Sequence, residues 1–449
     1  MEGFVMKLPV YVLEALERLD KAGHKGWLVG GCVRDAVMGV EPHDYDIATS
    51  ALPEETVEAF KDCHVIGTGL KHGTVTAVLS GQPIEITTFR VESEYLDNRH
   101  PSSVSFTRRI EDDLCRRDFT INAMAYRPDD GLLDLFGGRK DIENGVIACV
   151  GEPAERFGED GLRIMRALRF ASRLGFKLEE KTKTAVLSCA DLLRGISAER
   201  LFSELCGLIV GRNAWRIVMD YADVLARFIP EIKPLIGFDQ NNRYHCYDLL
   251  EHTCRAMENS PDDLIVRLAL LLHDIGKPVV CFTGEDGYCH YHGHEPEGAR
   301  MANDILLRLR APNRIRESVV RLIELHDSAV IADSRHARRL LSRLSFEDAN
   351  RLLDVKTGDR YAHAEGHRDV SVINSMREII SKINEQEQCF SLNSMAIGGR
   401  ELIAMGMKPG RAVGRVLESL LEMVISEEIP NEKDALLEAA RRMLDDIEE

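Results

Sequence analysis

Strand-like runs become scarce after about residue 150. Before that point, short β-rich segments such as "TVTAVLS" and "IEITTFRV" flank the turn "GQP". Beyond it, apolar residues recur at helical spacing to the end of the chain: "GLRIMRALRFASRLGF", "SAERLFSELCGLIV", "DLIVRLALLLHDIGK", "ARMANDILLRLR". This change of texture predicts an α+β head, with a mixed sheet and helices, ahead of a long all-α body. At 449 residues the chain is too long for one core, so about two to four domains are expected.

The formal charge is −17, which by itself argues against a nucleic-acid partner. Any such partner needs a local basic surface within an acidic whole. Eleven scattered cysteines contain no C-x-x-C, the pattern of reduced thiols in a cytoplasmic protein. The N-terminal "MEGFVMKLPVYVLEALERLD" lacks a sustained apolar core, so no secretion signal is expected. No apolar run approaches the roughly 20 residues a bilayer span requires, so no membrane partner is expected either.

The stretch "LVGGCVRDAVMGVEPHDYDIATS" (residues 28–50) carries the first chemistry. A buried strand ends in Gly30 and Gly31, a helix opens near Cys32, and Gly39 stops it. Glycines at a strand end that opens a helix let backbone N–H groups approach phosphate oxygens, and the helix dipole assists. "DYDIATS" reads as a strand, on which residues i and i+2 share a face. Asp44 and Asp46 then point into one cleft, and two clustered carboxylates favour a hard cation such as Mg²⁺ between them. Phosphates held by glycines beside a carboxylate-bound metal suggest nucleotidyl transfer. A structural Gly-Gly beside an acidic turn is the plainer reading of the same residues.

These residues resemble the nucleotidyltransferase head of the polymerase-β superfamily. More narrowly, they resemble the bacterial class II tRNA nucleotidyltransferases, the CCA-adding enzymes and their poly(A) polymerase relatives. The resemblance implies that Gly30, Gly31 and Arg34 bind a triphosphate and that Asp44 and Asp46 hold Mg²⁺. Glu85 in "IEITTFR" is the candidate third carboxylate, although strand alternation also explains it. "RRDFTINAMAY" is similar to a second family motif and would bring Arg116, Arg117, Asp118 and Asn122 to the sugar and phosphates. "LDLFGGRKDI" resembles the hinge between head and neck, where Gly137 and Gly138 would permit bending. "ISAERLFSEL" resembles the last neck motif and reads as packing. The loop "VESEYLDNRHPSSVSFT", with Asp97, Arg99 and Pro101, is similar to the loop linked to the switch from C to A addition.

"GEDGLRIMRALRF" resembles the base-selecting motif. Asp160, Arg163, Arg166 and Arg169 follow i, i+3, i+6, i+9, close to one helix face. A carboxylate accepts from an exocyclic amine, and a guanidinium donates to ring acceptors. Cytosine and adenine present an amine next to an acceptor, whereas uracil and guanine present a carbonyl there. Asp160 with Arg163 could therefore select C and A without a template, leaving Arg166 and Arg169 to phosphates. A solvated charged face would give the same spacing.

Histidines form the second constellation. "LLHDIGKP" ends an apolar helix in His273 and Asp274, His252 precedes it, "YHGHEPEGA" adds His292 and His294, "LIELHD" adds His326 and "KTGDRYAH" adds Asp359. Imidazoles with carboxylates suit a divalent transition metal or Mg²⁺ in phosphoester hydrolysis. A buried His-Asp pair is costly unless coordinated or hydrogen-bonded. The set resembles the HD phosphohydrolases. That implies His252, His273, Asp274 and Asp359 as metal ligands, with His294 and His326 at a second metal; Asp354 competes with Asp359. Arginines at 300, 308, 310, 314, 316, 321, 335, 338, 339 and 343 are the candidate RNA surface.

The combined expectation is a polymerase-β-like head at 1–150, a helical neck at 151–235, an HD-type body at 236–370 and a helical, tRNA-binding tail at 371–449. Such a chain would add C, C and A to tRNA from CTP and ATP. Two alternatives remain: poly(A) or A-only addition, and an HD metal phosphohydrolase with a vestigial head. The sequence leaves the oligomeric state open.

Overall fold

The computed structural model describes residues 4–67, 69–70, 73–92, 104–385 and 392–448. The loop residues Asp97, Arg99 and Pro101 lie outside the described residues. The chain forms two compact units, Met1–Pro230 and Glu231–Glu449.

The first unit is built on β1 (Gly26–Val29), β2 (Asp46–Thr49), β3 (His64–Ile66), β4 (Thr74–Leu79), β5 (Gln82–Thr88), β6 (Arg90–Glu92), β7 (Val104–Phe106), β8 (Met124–Arg127) and β9 (Gly131–Asp134). Seven of these make one mixed sheet in the order β3-β4-β5-β2-β1-β8-β9, and β6 pairs with β7. Only β2 and β5 run parallel within the large sheet. Strand β1 is buried on both faces, which is why "GWLV" is continuously apolar. Leu28 joins the core under the helices Val10–Lys21 and Gly31–Val37, while Trp27 and Val29 join the opposite core with Ile110 and Leu114.

One expectation is corrected. The "DYDIATS" strand starts at Asp46, so Asp44 sits on the bend that leads into it and does not share a strand face with Asp46. Strand β1 ends at Val29, opposite Asp46, so β1 has no residue left to pair with Asp44 and extend β2 backward.

The neck helix Leu162–Leu174 packs on Ala198–Ile209. A Cβ on Gly207 would come 2.5 Å from Arg169 Cδ, so the glycine makes room for that side chain to cross.

In the second unit, Leu264–Leu272 is apolar except for Arg267, which donates to the Pro261 carbonyl, and the helix is correspondingly central. It packs on Leu249–Glu258, Asn313–Leu325 and Phe346–Tyr361. The Asp263 carboxylate caps it by accepting from the Ile265 and Val266 N–H groups. His273 is its C-terminal cap residue and is delivered fully buried. The insert "GEDGYCHYHGH" contributes the second arm of a short hairpin, Phe282–Thr283 with Cys289–His290. The tail residues Leu402, Leu420 and Leu436 are fully buried in a separate small core.

Candidate active site and metal centre

A cleft of about 570 Å³ opens in the first unit at the ends of β1, β2 and β5. It is lined by Gly30, Gly31, Arg34, Asp46, Glu85, Arg116, Arg117, Asp118, Asn122, Asp160, Arg163, Arg166 and Arg169, among others. Of the expected head residues, only Asp44 is not part of this lining, and its side chain is exposed on the approach to β2.

Parallel pairing sets Asp46 directly beside Glu85. Residues opposed in this way share a sheet face, which makes Glu85 the neighbour of Asp46. Burial pushes the Asp46 carboxyl up, Glu85 adds to the rise, Arg117 opposes it and Asp44 contributes a further rise. A carboxylate that its neighbours resist ionising is one that a divalent cation would relieve. Gly30 ends β1 with φ +73°, and a Cβ there would lie 3.2 Å from Arg117 Nη1.

The arginines are held by a connected polar array. Arg34 donates to Asn122 Oδ1 at 2.9 Å and to Asp35 Oδ1 at 2.7 Å. Asn122 donates to Asp118 Oδ1 at 3.3 Å, and Arg166 Nε donates to Asp118 Oδ2 at 2.7 Å. Burial pushes Asp118 up, but Arg166, Asn122 and the Phe119 N–H outweigh it and hold the carboxyl below its ordinary range. Arg166 and Arg169 also lie over the Phe170 ring, at 5.6 and 4.4 Å. Arg163 is buried and donates to Glu159 and to the carbonyls of Arg156 and Arg116. Asp160 precedes the helix Leu162–Leu174, and its Oδ1 accepts the Leu162 N–H.

Sequence reasoning missed Asp113, which is 1% exposed and bridges Arg116 at 2.8 Å and Arg117 at 3.1 Å. The signal was available: a carboxylate three and four residues before two arginines, at helix-neighbour spacing. It also missed Arg200, which lines the same cleft.

In the second unit all six expected metal ligands converge. His252, His273, Asp274 and Asp359 form one group, and Asp274, His294 and His326 form another that shares Asp274. Asp274 is 2% exposed and turns Oδ2 toward His252 (3.4 Å) and His273 (3.2 Å). Its Oδ1 faces His294 (3.5 Å) and His326 (3.7 Å). His252 Nε2 is 3.0 Å from Asp359 Oδ1. Asp354 is instead paired with Arg377 at 2.7 Å, which decides between the two aspartates.

The tautomers follow from the outer contacts. Nδ1 of His252, His273, His294 and His326 faces the carbonyls of Ala362, Leu270, Tyr291 and Ile323, at 3.3, 2.7, 2.9 and 2.7 Å. A carbonyl can only accept, so Nδ1 carries hydrogen in all four rings and every Nε2 is turned inward. Two such Nε2 atoms, of His294 and His326, face each other at 3.3 Å. Opposed lone pairs at that distance repel unless a proton or a cation lies between them.

Sequence reasoning singled out neither Lys277 nor the flanking His245 and His363. Lys277 is buried, with Nζ 2.7 Å from Asp274 Oδ2 and donating to Gln240 Oε1 at 3.1 Å. His245 and His363 line the same cavity of about 440 Å³. Lys277 was legible four residues after His273 in "HDIGK". His292 is exposed and stacks on His290 at 5.8 Å, apart from the convergent groups. The arginines expected to face RNA are largely neutralised: Arg300 by Glu297 and Asp304, Arg308 by Glu231, Arg321 by Glu324, Arg338 by Glu427 and Arg339 by Glu422.

Three family models match separate stretches of the chain. Residues 26–148 match the family described as the poly(A) polymerase head domain. Residues 175–236 match "Probable RNA and SrmB-binding site of polymerase A", and residues 300–440 match tRNA nucleotidyltransferase domain 2. A CCA-adding enzyme of Pediococcus pentosaceus is 33% identical over 96% of this chain and 97% of its own length. One from Lactobacillus helveticus is 34% identical with the same coverage. The crystal structure of the Bacillus stearothermophilus CCA-adding enzyme in complex with CTP superposes with a TM-score of 0.75 at 28% identity, covering 98% of this chain and all of the other.

Proposed function

This chain belongs to the CCA-adding enzymes, the nucleotidyltransferases that complete the tRNA 3′ end, and on that premise we propose how its two sites divide the chemistry. The first unit adds C, C and A to tRNA from CTP and ATP without a nucleic-acid template. The observation that carries this reading is the Asp46–Glu85 pair in a cleft that also gathers Arg34, Arg116, Arg117, Arg163, Arg166 and Arg169. In the reaction, the tRNA 3′-hydroxyl oxygen bonds to the α-phosphorus, the α–β bridging P–O bond breaks and pyrophosphate leaves.

Each group has a role that its surroundings support. The N–H groups of the turn at Gly30 and Gly31, with Arg34, hold the triphosphate. Arg116, Arg117, Asp118 and Asn122 bind sugar and phosphate, with Asp113 fixing the two arginines. Asp160 and Arg163 read the base, and Arg166 and Arg169 face phosphates. Asp46, Glu85 and the nearby Asp44 would hold Mg²⁺, which when bound offsets triphosphate charge and eases ionisation of the 3′-hydroxyl. The crowding that raises the Asp46 carboxyl fits such an ion.

The second unit is proposed as a metal-dependent phosphohydrolase. Its inward Nε2 atoms and the bridging placement of Asp274 fit two divalent cations, held by His252, His273, Asp274 and Asp359 on one side and by Asp274, His294 and His326 on the other. Two such cations, when bound, activate water toward a phosphoester. Lys277, beside Asp274, would steady phosphate charge. The working division is head 1–150, neck 151–235, HD body 236–370 and tRNA-binding tail 371–449. The setting is the cytoplasm, in keeping with ten free cysteines among the described residues. No helix among the described residues is long and apolar enough to cross a membrane.

The test is extension of tRNA ending at the discriminator base, read at single-nucleotide resolution with Mg²⁺ and CTP, ATP, both, or UTP. A product that stops three nucleotides on and needs both CTP and ATP is expected. Asp46→Ala should reduce it to background. A ladder from ATP alone would overturn CCA addition in favour of A-only addition.

A further inference from the structure

Arg200 belongs to "ISAERLFSEL", which the sequence assigns to packing. In the structure it lines the head cleft, and its Nη2 donates to Asp160 Oδ2 at 2.6 Å. The other oxygen of that carboxylate accepts the Leu162 N–H at 3.0 Å. Both oxygens of Asp160 are therefore pinned, one by its own chain and one by a neighbouring helix. Each keeps a lone pair for a further donor. Asp160 lies in the short link between two helices, where its backbone is extended, so no helical turn fixes its side chain.

A second link runs the opposite way, between the helix that follows Asp160 and the helix that carries Arg200. Arg169 donates from Leu162–Leu174 to Glu204 at 2.6 Å, and Glu204 lies one turn beyond Arg200 on Ala198–Ile209. The helix carrying Arg200 is thus itself held in register with the base-reading helix. Arg200 Nη1 is buried and has no hydrogen-bond partner among the described residues. A buried guanidinium nitrogen left without an acceptor is costly, and an acceptor on a bound nucleotide would remove that cost.

We propose that Arg200 is a positioning residue for nucleotide selection: it fixes the rotation of the Asp160 carboxylate so that an exocyclic amine is accepted and a carbonyl is rejected. This rests on the proposed base-reading role of Asp160. A carboxylate free to rotate can swing away from an approaching carbonyl. Losing Arg200 therefore weakens rejection of UTP more than it weakens catalysis of correct addition.

The experiment measures kcat/KM for CTP and for UTP with the full chain on tRNA ending at the discriminator base. Thermal melting is run alongside. Arg200→Ala is expected to lower the CTP-to-UTP ratio by about tenfold or more, mainly through a lower KM for UTP. Arg200→Lys keeps the charge without the planar fork and should recover part of the ratio. Arg200→Gln keeps an amide donor and serves where Arg200→Ala does not fold. If the folded Arg200 variants keep the wild-type ratio while Asp160→Ala loses it, the positioning role is overturned and the base-reading role stands. If Asp160→Ala also keeps the ratio, both fail. If Arg200→Ala lowers kcat equally for both nucleotides with the ratio unchanged, Arg200 is structural and the proposal is overturned.

Discussion

At the scale of single residues, the polar array around Asp118 makes the sharpest demand. Its carboxylate accepts from Arg166, Asn122 and Phe119 N–H, and it is 8% exposed. Removing the charge leaves Arg166 facing a neutral amide at a poorly solvated position. Asp118→Asn is expected to destabilise the first unit by roughly 3 kcal/mol. The sign of the pH dependence follows from the depressed carboxyl. A group that ionises more easily when folded contributes its stability above its unfolded pKa, near 3.9. That contribution fades as pH falls through the lower folded value. The gap in urea midpoint between wild type and Asp118→Asn should therefore hold from pH 7 to about 4 and narrow below that. A gap that widens in acid would reverse the assigned sign. At this scale the sequence was most informative where residue type alone restricts chemistry. Asp46 and the His273–Asp274 pair stood out because clustered carboxylates and a buried His-Asp pair have few inexpensive explanations, whereas Glu85 entered only through the family resemblance, since strand alternation explains it as well. Asp113 and Arg200 were not singled out, because an acid or a base on an amphipathic helix is ordinarily solvated, and only tertiary contact distinguishes them.

Elements decide whether those residues meet. The head cleft depends on a short turn, Thr120–Asn122, that carries Asn122 against the helix Gly138–Asn144. A Cβ on Gly138 would stand 2.2 Å from the Thr120 carbonyl oxygen and 2.8 Å from its carbon. Both are backbone atoms and cannot rotate aside. Sequence resemblance made Gly137 and Gly138 a hinge. The geometry gives Gly138 a second role, close approach, and gives Gly137 a left-handed φ of +77°. Gly138→Ala should therefore cost stability through backbone displacement, by about 2–3 kcal/mol, and lower Tm by roughly 5 °C or more. It should also reduce tRNA extension, because the displaced turn holds Asn122 and through it Asp118. An unchanged melting curve would show that the helix can shift without cost. The strand that begins only after Asp44 belongs to this scale as well. A D-x-D pattern predicts a shared face only if the strand covers both positions, and strand starts are set by pairing partners that a single sequence does not reveal.

For the whole molecule, the charge of −17 and the paired surface arginines pose the remaining question of where cations act. The positive charge that matters is gathered inside the head cleft, while the second unit gathers imidazoles around Asp274. Composition argued against a nucleic-acid partner because it averages over surfaces, and a concave site needs only local charge. The second unit converts this contrast into a measurement. Ligands that bind the folded state stabilise it by mass action, by about 2.7 kcal/mol at a hundredfold excess over Kd. Titrating Mn²⁺ into the full chain should slow hydrogen exchange in the helices Leu249–Glu258, Leu264–Leu272 and Phe346–Tyr361, which carry or adjoin His252, His273 and Asp359. Asp274→Asn should abolish the effect, since a neutral amide cannot serve as the anionic bridge between both ligand groups. His292→Ala should leave it intact, because that ring stacks outside the convergent set. Protection that survives Asp274→Asn would mean that Mn²⁺ binds elsewhere. The inward Nε2 atoms of His294 and His326 would then be bridged by a shared proton, and the second unit would be a scaffold for the tRNA enzyme with no metal chemistry at this centre.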